Sequence, residues 1–268
     1  MGIRGLFRYC NPIRKHANMN ETGLHIGLDG FSLLYLFKED RDAFEQYLKQ
    51  LVRCAKSIDF IMDKRAAKEK RDVVEERKEL RKEAKAEAKS LASFVKSSEF
   101  EDLEPKQQEM LEKLIAQRER AAWHLYPEYI TWLTNILENN KITLMKAPEE
   151  ADIVLAKGGY DVVISSDSDL LILGAKRLWI PRGVGIQHNE IDGKDFIKYI
   201  GIHGERLFEL AYLAGCDVHP KSHMTVAEAV SRLRFYGSLV GIHKKHPEIV
   251  SANDISEYKV LKESVWVL

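Results

Sequence analysis

The residues best suited to chemistry are two aspartates, Asp167 and Asp169, which follow a short apolar run in VVISSDSDL over 162–170. A run of β-branched and apolar residues of this length is typical of a buried strand. The packing of such a strand gives no reason for two carboxylates at its exit. Neighbouring carboxylates repel each other, and a bound divalent cation relieves that repulsion. The pair therefore indicates a cation site.

Acids also stand at the ends of other apolar segments. HIGLD ends in Asp29, IDFIMD ends in Asp63, and Glu150 and Asp152 follow the apolar segment of KITLMKAPEEAD. Asp217 closes the apolar helix predicted for LAYLAGCDV. In open α/β sheets, ligands bind outside the carboxyl ends of the strands, so these acids would arrive at one edge. Because hard cations prefer carboxylate oxygens, the sequence predicts a magnesium site at that edge.

Each acid taken alone has a structural explanation. Aspartate is a common helix N-cap and turn residue, and capping is the better explanation of any single one. Seven acids at the ends of predicted buried elements are hard to explain in this way. Hydrolysis of a phosphodiester by two metal ions needs such a set, because two cations about 3.5–4 Å apart bridge the attacking water and the leaving oxygen.

Alternating strands and helices must position these acids. This alternation predicts an α/β fold with a mostly parallel, doubly wound sheet. Gly183 and Gly185 predict a hairpin turn after the last strand, and Thr225 with Glu228 predicts a capping box at the start of a helix. The predicted strands are 24–29, 57–63, 141–147, 160–166 and 177–181, and the predicted helices include FSLLYLF, AFEQYLKQLVRCAK, 149–156 and 195–214.

Residues 64–140 separate two predicted strands by far more than a crossover helix requires. The part over 64–89 is rich in Lys, Arg, Glu and Ala, which favour helix, and it lacks an apolar stripe that would bury it fully. Residues 105–140 form a second predicted helical region, with SSEFEDLEP as the bend between the two. We expect a helical insertion that rises from the acidic edge of the sheet. A solvated helix or a coiled-coil arm is the alternative.

The composition of the chain limits the classes of protein to which it can belong. The 268 residues include 41 Lys plus Arg and 41 Asp plus Glu, so net charge gives no evidence for a polyanionic partner. Three cysteines without CxxC spacing disfavour a zinc ribbon or a disulfide framework. The sequence shows no secretory signal and no segment near the ~20 apolar residues that span a bilayer. A soluble, intracellular protein is expected. The sequence does not decide between the nucleus and a viral replication site.

Six motifs of this chain occur in the order and at the spacing of a known family: MGIRGL, HIGLDGFSLLY, FIMDKRAAKEKRDVVEER, KAPEEAD, VVISSDSDLLILG and LAYLAGCDV. From residue 1 to about residue 217, the chain resembles the XPG-type structure-specific 5′-nucleases that include flap endonuclease. The resemblance implies a single nuclease domain over 1–268. Its parts would be an N-terminal nuclease region (1–63), a helical arch (64–140), an internal nuclease region (141–217) and a degenerate duplex-binding helical region (218–268).

The resemblance also implies a cofactor of two magnesium ions, for which Mn²⁺ would substitute. The acids at the sheet edge would hold them, and Asp167 and Asp169 would be central to catalysis. One ion would be surrounded by Asp29, Asp63, Glu150 and Asp152, and the other by Asp167, Asp169 and Asp217.

Four further residues match positions that contact DNA in the family. Lys70 and Arg77 would reach the scissile phosphate, where cationic donors stabilise developing charge. Tyr35 resembles an aromatic residue on which a base stacks, and a core tyrosine on an amphipathic helix explains it nearly as well. Gly2 resembles the residue that brings the N-terminal segment close to the site.

The chain departs from the family pattern at several points. Asp152 replaces a glutamate, which shortens its reach by one methylene, and Lys64 replaces a glycine. HPKSHMTVAEAV lacks the GxGxxxA sequence with which the family grips duplex DNA, and no QxxLxxFF sliding-clamp motif is present. The resemblance therefore implies a shortened, divergent member.

The expected function is magnesium-dependent hydrolysis of DNA phosphodiesters at flaps, 5′ ends or junctions, in replication, repair or recombination. The expected partner is DNA with a junction between single and double strands, and neither a membrane nor a particular protein partner is predicted. Two alternatives stay open at this stage. One is a catalytically inactive scaffold on the same fold, which the change at Asp152 would allow. The other is a PIN-like ribonuclease, which the long insertion and MGIRGL disfavour.

Overall fold

The chain divides into two compact units. The first comprises Met1–Glu69 and Ile136–Leu268, and the second comprises Lys70–Asn135. The computed structural model describes residues 2–38, 40–64, 71–125, 127–148, 150–217, 219 and 221–265, without the side chains of 71–74, 77, 98, 99, 264 and 265.

A seven-stranded sheet organises the first unit. Its central strands are short and apolar, as expected for strands covered on both faces. The strands are β1 (Lys15–His16), β2 (Leu24–Asp29), β3 (Ala55–Asp63), β4 (Thr143–Ala147), β5 (Val162–Ile164), β6 (Arg177–Pro181) and β7 (His188–Asp192).

The strand order is β1-β7-β6-β5-β2-β3-β4. The five strands from β6 to β4 are parallel, whereas β7 pairs antiparallel with β6 and β1 pairs antiparallel with β7. The predicted hairpin after β6 is confirmed, and its Gly183 has a φ of 76°, a conformation that glycine adopts without steric cost. The predicted fold class, a mostly parallel α/β sheet, is confirmed.

The helices follow the predicted alternation with one correction. The helix predicted over 195–214 is wrong as a single element, because the chain turns at Gly201 with a φ of 60° before a new helix begins. The helices are α1 (Leu6–Tyr9), α2 (Gly30–Phe37), α3 (Arg41–Cys54), α4 (Arg71–Phe94), α5 (Ser98–Glu101), α6 (Pro105–Ala122), α7 (Pro127–Asn139), α8 (Ala151–Lys157), α9 (Asp169–Leu173), α10 (Gly193–Ile200), α11 (Arg206–Ala214), α12 (Val226–Tyr236), α13 (Leu239–Lys245) and α14 (Ala252–Val265).

Helices cover both faces of the sheet. Successive strand residues point to opposite faces, and neighbours in β3 show this division. Ile61 packs in a core cluster with Leu155 of α8 and Leu210 of α11. Phe60 meets the ring of Phe44 in α3 edge-on, with 6.2 Å between the ring centroids. The sheet is therefore doubly wound, as predicted.

The predicted capping box opens α12. The Thr225 N–H donates to Oε2 of Glu228 at 2.9 Å, and the Glu228 N–H donates to Oγ1 of Thr225 at 3.3 Å. Each side chain thus satisfies a main-chain donor that the helix itself leaves unpaired.

The second unit is built from helices. The 24-residue α4 contacts α6, and the predicted bend between the two helical regions contains the short α5. Ala84 and Ala88, one turn apart on α4, are buried, so one narrow stripe of this charged helix is covered. Arg118 of α6 forms an ion pair with Glu87 of α4 at 2.7 Å. None of the described helices in either unit combines the length and apolar character that a bilayer crossing requires.

Candidate metal centre

Three adjacent parallel strands deliver acids to the same edge of the sheet. Asp29 ends β2 and Asp63 ends β3, and Asp29 is in register with Ile61, two residues before Asp63. On the other side of β2, β5 ends at Ile164, and Asp167 follows in the turn before α9. Because parallel strands share the direction of their carboxyl ends, these three acids lie at one edge, as the sequence predicts.

Asp29 is the most buried acid of this edge, with 8% of its surface exposed. Its Oδ1 accepts a hydrogen bond from the Ser32 N–H at 3.0 Å, so it also caps α2. Its Oδ2 accepts a hydrogen bond from Oγ of Ser165 at 2.5 Å. The pKa of Asp29 is raised to about 6, because burial and, less strongly, the charges of Asp167 and Asp63 raise it, while its two hydrogen bonds lower it. Both neighbouring charges thus disfavour the ionised form of Asp29.

Asp63 connects the end of β3 to α8. Its Oδ1 accepts a hydrogen bond of 2.6 Å from the Ala151 N–H, in the first turn of that helix. Glu150 is the N-cap of α8, Asp152 lies in its first turn, and both are half-buried. One hydrogen bond thus ties the acidic end of β3 to the two predicted ligands on α8.

The turn between β5 and α9 is held by its own polar atoms. The Asp167 N–H donates to Oγ of Ser165 at 2.9 Å, and Oδ1 of Asp167 accepts from the Asp169 N–H at 3.0 Å. Asp169 is the first residue of α9, and both aspartates are half-buried. The two carboxylates predicted from VVISSDSDL therefore belong to one tightly bonded turn.

The N-terminal segment packs against this turn. Ile3 N–H donates to Oγ of Ser168 at 2.8 Å, and Arg4 N–H donates to the Gly215 carbonyl at 3.1 Å. A Cβ added at Gly2 would overlap Oδ1 of Asp167 and Oγ of Ser168, and Gly2 has a φ of 90°. Only glycine fits this close approach without displacing the acidic turn.

Asp217 lies in the turn that follows α11. The turn begins at Gly215, with a φ of 85°, and Cys216 and His219 exchange main-chain hydrogen bonds of 2.9 and 3.1 Å across it. Asp217 between them is half-buried. The contact between Arg4 and Gly215 joins this turn to the N-terminal segment, which in turn contacts the turn of Asp167.

The chemistry of the edge suits a hard divalent cation, since carboxylates supply the ligands that Mg²⁺ prefers and a cation would relieve their repulsion. Within the described part of the chain, no three His, Cys, Asp or Glu side chains come close enough together to form a metal-binding group. The carboxylates are thus the type of ligand that Mg²⁺ prefers, but among the described residues their arrangement does not form a metal-binding group, and the assignment of the individual ligands stays a prediction.

The structure bears differently on each of the residues expected to contact DNA. Tyr35 is 42% exposed on α2, whose buried face consists of Gly30, Leu33, Leu34 and Phe37, so the alternative of a core tyrosine is wrong. Lys70 lies outside the described residues. Arg77 lies within α4, but its side chain is not described. The roles of Lys70 and Arg77 stay predictions.

Sequence reasoning missed the serines of the acidic turn. Ser165 and Ser168 are 0% and 3% exposed, and each binds a different element, β2 through Asp29 and the N-terminal segment through Ile3. Oγ of Ser166 lies 2.7 Å from Oγ of Ser32 in α2. The alternation of serine and aspartate in SSDSD was the available clue, but its partners lie far away in the sequence.

Sequence comparison connects the chain to one curated relative. Flap endonuclease 1 of Picrophilus torridus is 26% identical over 175 residues, which cover 55% of this chain and 52% of that protein. The chain thus aligns with about half the length of this relative. No protein-family model matches the chain.

Structure comparison connects nearly the whole chain to solved nucleases. The catalytic core of Rad2 in complex with a DNA substrate superposes with a TM-score of 0.62 at 15% identity, over 98% of this chain and 80% of that one. Human GEN1 in complex with Holliday junction DNA gives 0.59 at 16% identity, over 98% and 66%. Flap endonuclease-1 of Methanococcus jannaschii gives 0.58 at 17% identity, over 94% and 82%. The chain therefore has the flap-nuclease fold, and the resemblance to the XPG-type nucleases that its six motifs predict is confirmed.

Proposed function

We propose that the chain is a magnesium-dependent, structure-specific nuclease. It hydrolyses DNA phosphodiesters at flaps, 5′ ends or junctions and leaves a 5′-phosphate and a 3′-hydroxyl. The DNA in the Rad2 complex and the Holliday junction in the GEN1 complex support DNA as the substrate. A Mg²⁺ ion accompanies product DNA in another GEN1 structure, which supports the choice of metal. A role in DNA replication, repair or recombination inside the cell follows from such a substrate.

One observation carries this proposal. Asp29, Asp63 and Asp167 lie at or just beyond the carboxyl ends of three adjacent parallel strands, β2, β3 and β5, and Asp29 is buried there. A fold that needed only helix caps at these positions would gain nothing from bringing three acids to one edge of the sheet. A divalent cation gives the arrangement a function, because it converts mutual repulsion into shared coordination.

The residues of the edge would hold two magnesium ions, for which Mn²⁺ would substitute. Bound magnesium would supply a nucleophilic hydroxide at neutral pH and stabilise charge on the leaving oxygen. Hydrogen bonds from the Ser32 and Ala151 N–H groups fix the orientation of two of the acids. We assign one ion to Asp29, Asp63, Glu150 and Asp152 and the other to Asp167, Asp169 and Asp217.

Other residues would orient the DNA. The ring of Tyr35, which is 42% exposed, would stack on a base next to the cleaved bond, and such stacking is worth about 1–3 kcal/mol per base. Lys70 and Arg77 would act as cationic donors to the scissile phosphate. The N-terminal segment at Gly2 would limit access to the acidic turn on one side.

A matched pair of variants on β5 tests this proposal. Asp167 follows the carboxyl end of the strand, whereas Asp161 precedes its amino end and accepts a hydrogen bond from the His25 N–H at 2.9 Å. Labelled flap, nicked, gapped, Holliday-junction and single-stranded DNA would be incubated with Mg²⁺ and each protein. We expect Asp167→Asn to abolish cleavage and Asp161→Asn to preserve it.

Other outcomes would identify the alternatives. Cleavage of an RNA flap in preference to the matched DNA flap would favour the PIN-like ribonuclease. A wild-type protein that binds these DNA substrates but cleaves none, with Mg²⁺ or Mn²⁺, would indicate a scaffold. Full activity in Asp167→Asn would contradict the proposed site.

A further inference from the structure

Ser165 directly follows β5, in the turn that leads to α9, and has no solvent exposure. Its hydroxyl donates to Oδ2 of Asp29 at 2.5 Å and accepts from the Asp167 N–H at 2.9 Å. A single oxygen atom thus joins the acid at the end of β2 to the main chain of an acid beyond β5. Asp29 and Ser165 are 136 residues apart in the sequence.

We propose that Ser165 is a positioning residue, whose hydroxyl sets the separation of the Asp29 and Asp167 carboxylates for a divalent cation. This inference rests on the proposed nuclease function and extends it to a residue that does not itself contact the metal. Groups behind a metal ligand orient it, and changing them typically lowers metal affinity about 10–100-fold.

The hydrogen bonds of the site require a hydroxyl group at position 165, because this group must donate to one partner and accept from another. A serine has one donor proton, and here it is directed to Asp29, so the lone pairs of Oγ face the Asp167 N–H. Asp29 is held at both oxygens, by Ser32 at Oδ1 and by Ser165 at Oδ2. A carboxylate has about four lone-pair sites, so both oxygens keep a site for a cation.

The neighbouring Ser166 provides a matched control. It is exposed, and its Oγ pairs with Oγ of Ser32 at 2.7 Å. Ser166→Ala removes a hydroxyl from the same turn while leaving in place the hydrogen bonds of Ser165 to Asp29 and Asp167. Any general effect of shortening a serine in this turn will appear in both variants.

Threonine and valine at position 165 separate the hydroxyl from the volume. The two side chains have nearly the same shape, and only threonine keeps the hydrogen-bonding group. Ser165→Ala removes the group without adding volume. Thermal unfolding in the presence of a chelator would show which variants fold. Wild type would then be compared with whichever hydroxyl-free variant, Ser165→Ala or Ser165→Val, is folded.

The experiment is a titration of the full chain with Mn²⁺. Binding is measured by calorimetry and, independently, by the electron paramagnetic resonance signal of free Mn²⁺. We expect the hydroxyl-free variants to bind Mn²⁺ about 10–100-fold more weakly than wild type. Ser165→Thr should recover most of the affinity, and Ser166→Ala should bind as wild type does. Cleavage of a flap substrate at increasing Mn²⁺ should show the same order.

The possible failures are distinguishable. If wild type binds no Mn²⁺, the proposed function itself fails. If wild type binds Mn²⁺ and a folded hydroxyl-free variant binds as tightly as Ser166→Ala, Ser165 is only a satisfied buried hydroxyl and this inference is overturned. Equal weakening in Ser165→Thr and Ser165→Val would also overturn it, because volume rather than the hydroxyl would then set the affinity.

Discussion

The main-chain N–H of Ile3 donates a 2.8 Å hydrogen bond to the buried Oγ of Ser168. Ser168 stands between the two aspartates of the acidic turn, so the start of the chain is fastened to the candidate metal centre itself. The fit is close enough that Gly2 has no room for a side chain. Changes at the second residue should therefore affect chemistry more than stability.

Gly2→Ala should reduce nuclease activity by about 100-fold, since a misplacement of about 1 Å at a reacting centre has an effect of that order. The added Cβ would displace the turn of Asp167, whose side chain it overlaps. Gly5→Ala is the matched control, because Gly5 has a φ of 81° and open space around it. Both changes strain the backbone, so both should lower the melting temperature. Steady-state cleavage assays would show whether only Gly2→Ala loses activity; similar losses in both would contradict the close-approach argument.

Divalent metal should stabilise the folded chain. A ligand that binds only the folded state adds about 2.7 kcal/mol at 100 times its Kd. Mn²⁺ should therefore raise the melting temperature, and a chelator should reverse the rise. The effect should shrink below pH about 6, because Asp29 then takes up a proton that competes with the metal. Asp29→Asn should abolish the shift and Asp161→Asn should keep it; an equal shift in both would place the bound metal elsewhere.

His188 should make stability depend on pH. Burial lowers its pKa to about 4, and its Nε2 lies 2.7 Å from the Tyr47 hydroxyl. Between pH 6.5 and 4 the unfolded chain takes up a proton that the folded chain does not, so the free energy of unfolding falls as the pH falls. This contribution is up to about 3 kcal/mol and is fully present above pH 6.5. Urea unfolding across this range should show that stability depends less steeply on pH in His188→Gln than in the wild type.

Tyr35→Ala should weaken substrate binding or cleavage by about 5- to 150-fold, which corresponds to the loss of one base stack of about 1–3 kcal/mol. Tyr35→Phe keeps the ring and should retain most of the activity. The melting temperature should change little in either variant, because the side chain is exposed. Single-turnover cleavage of one flap substrate measures the effect. A large loss of stability with normal cleavage would restore the structural explanation of this residue.

The sheet and its acids were predictable because the pattern that specifies them is local. Each apolar run that ends in an acid, such as LHIGLD or AKSIDFIMD, contains both the strand and the acid at its carboxyl end. The parallel order of β5, β2 and β3 then places these ends together without further information. The glycine of the hairpin and the capping box of Thr225 are equally local.

Other features depend on neighbours that the sequence does not reveal. β1 has only two residues and forms by pairing with β7, so no periodicity marks it. The break at Gly201 interrupts an apolar stretch that reads as continuous. Tyr35 was ambiguous because apolar residues surround it in GFSLLYLF, and only the packing of α2 showed which face is exposed. Nothing in the sequence distinguishes Ser165 from other serines, because its partner Asp29 is 136 residues away.

The contacts of the N-terminal segment also set an order of events during synthesis. Ile3 leaves the ribosome long before its partner Ser168, which is 165 residues later, and Arg4 binds the carbonyl of Gly215, later still. Since chains fold as their segments emerge, the acidic edge cannot close until the segment around Gly215 has emerged. A chain cut short before Gly215 would lack both Asp217 and the main-chain acceptor that binds Arg4.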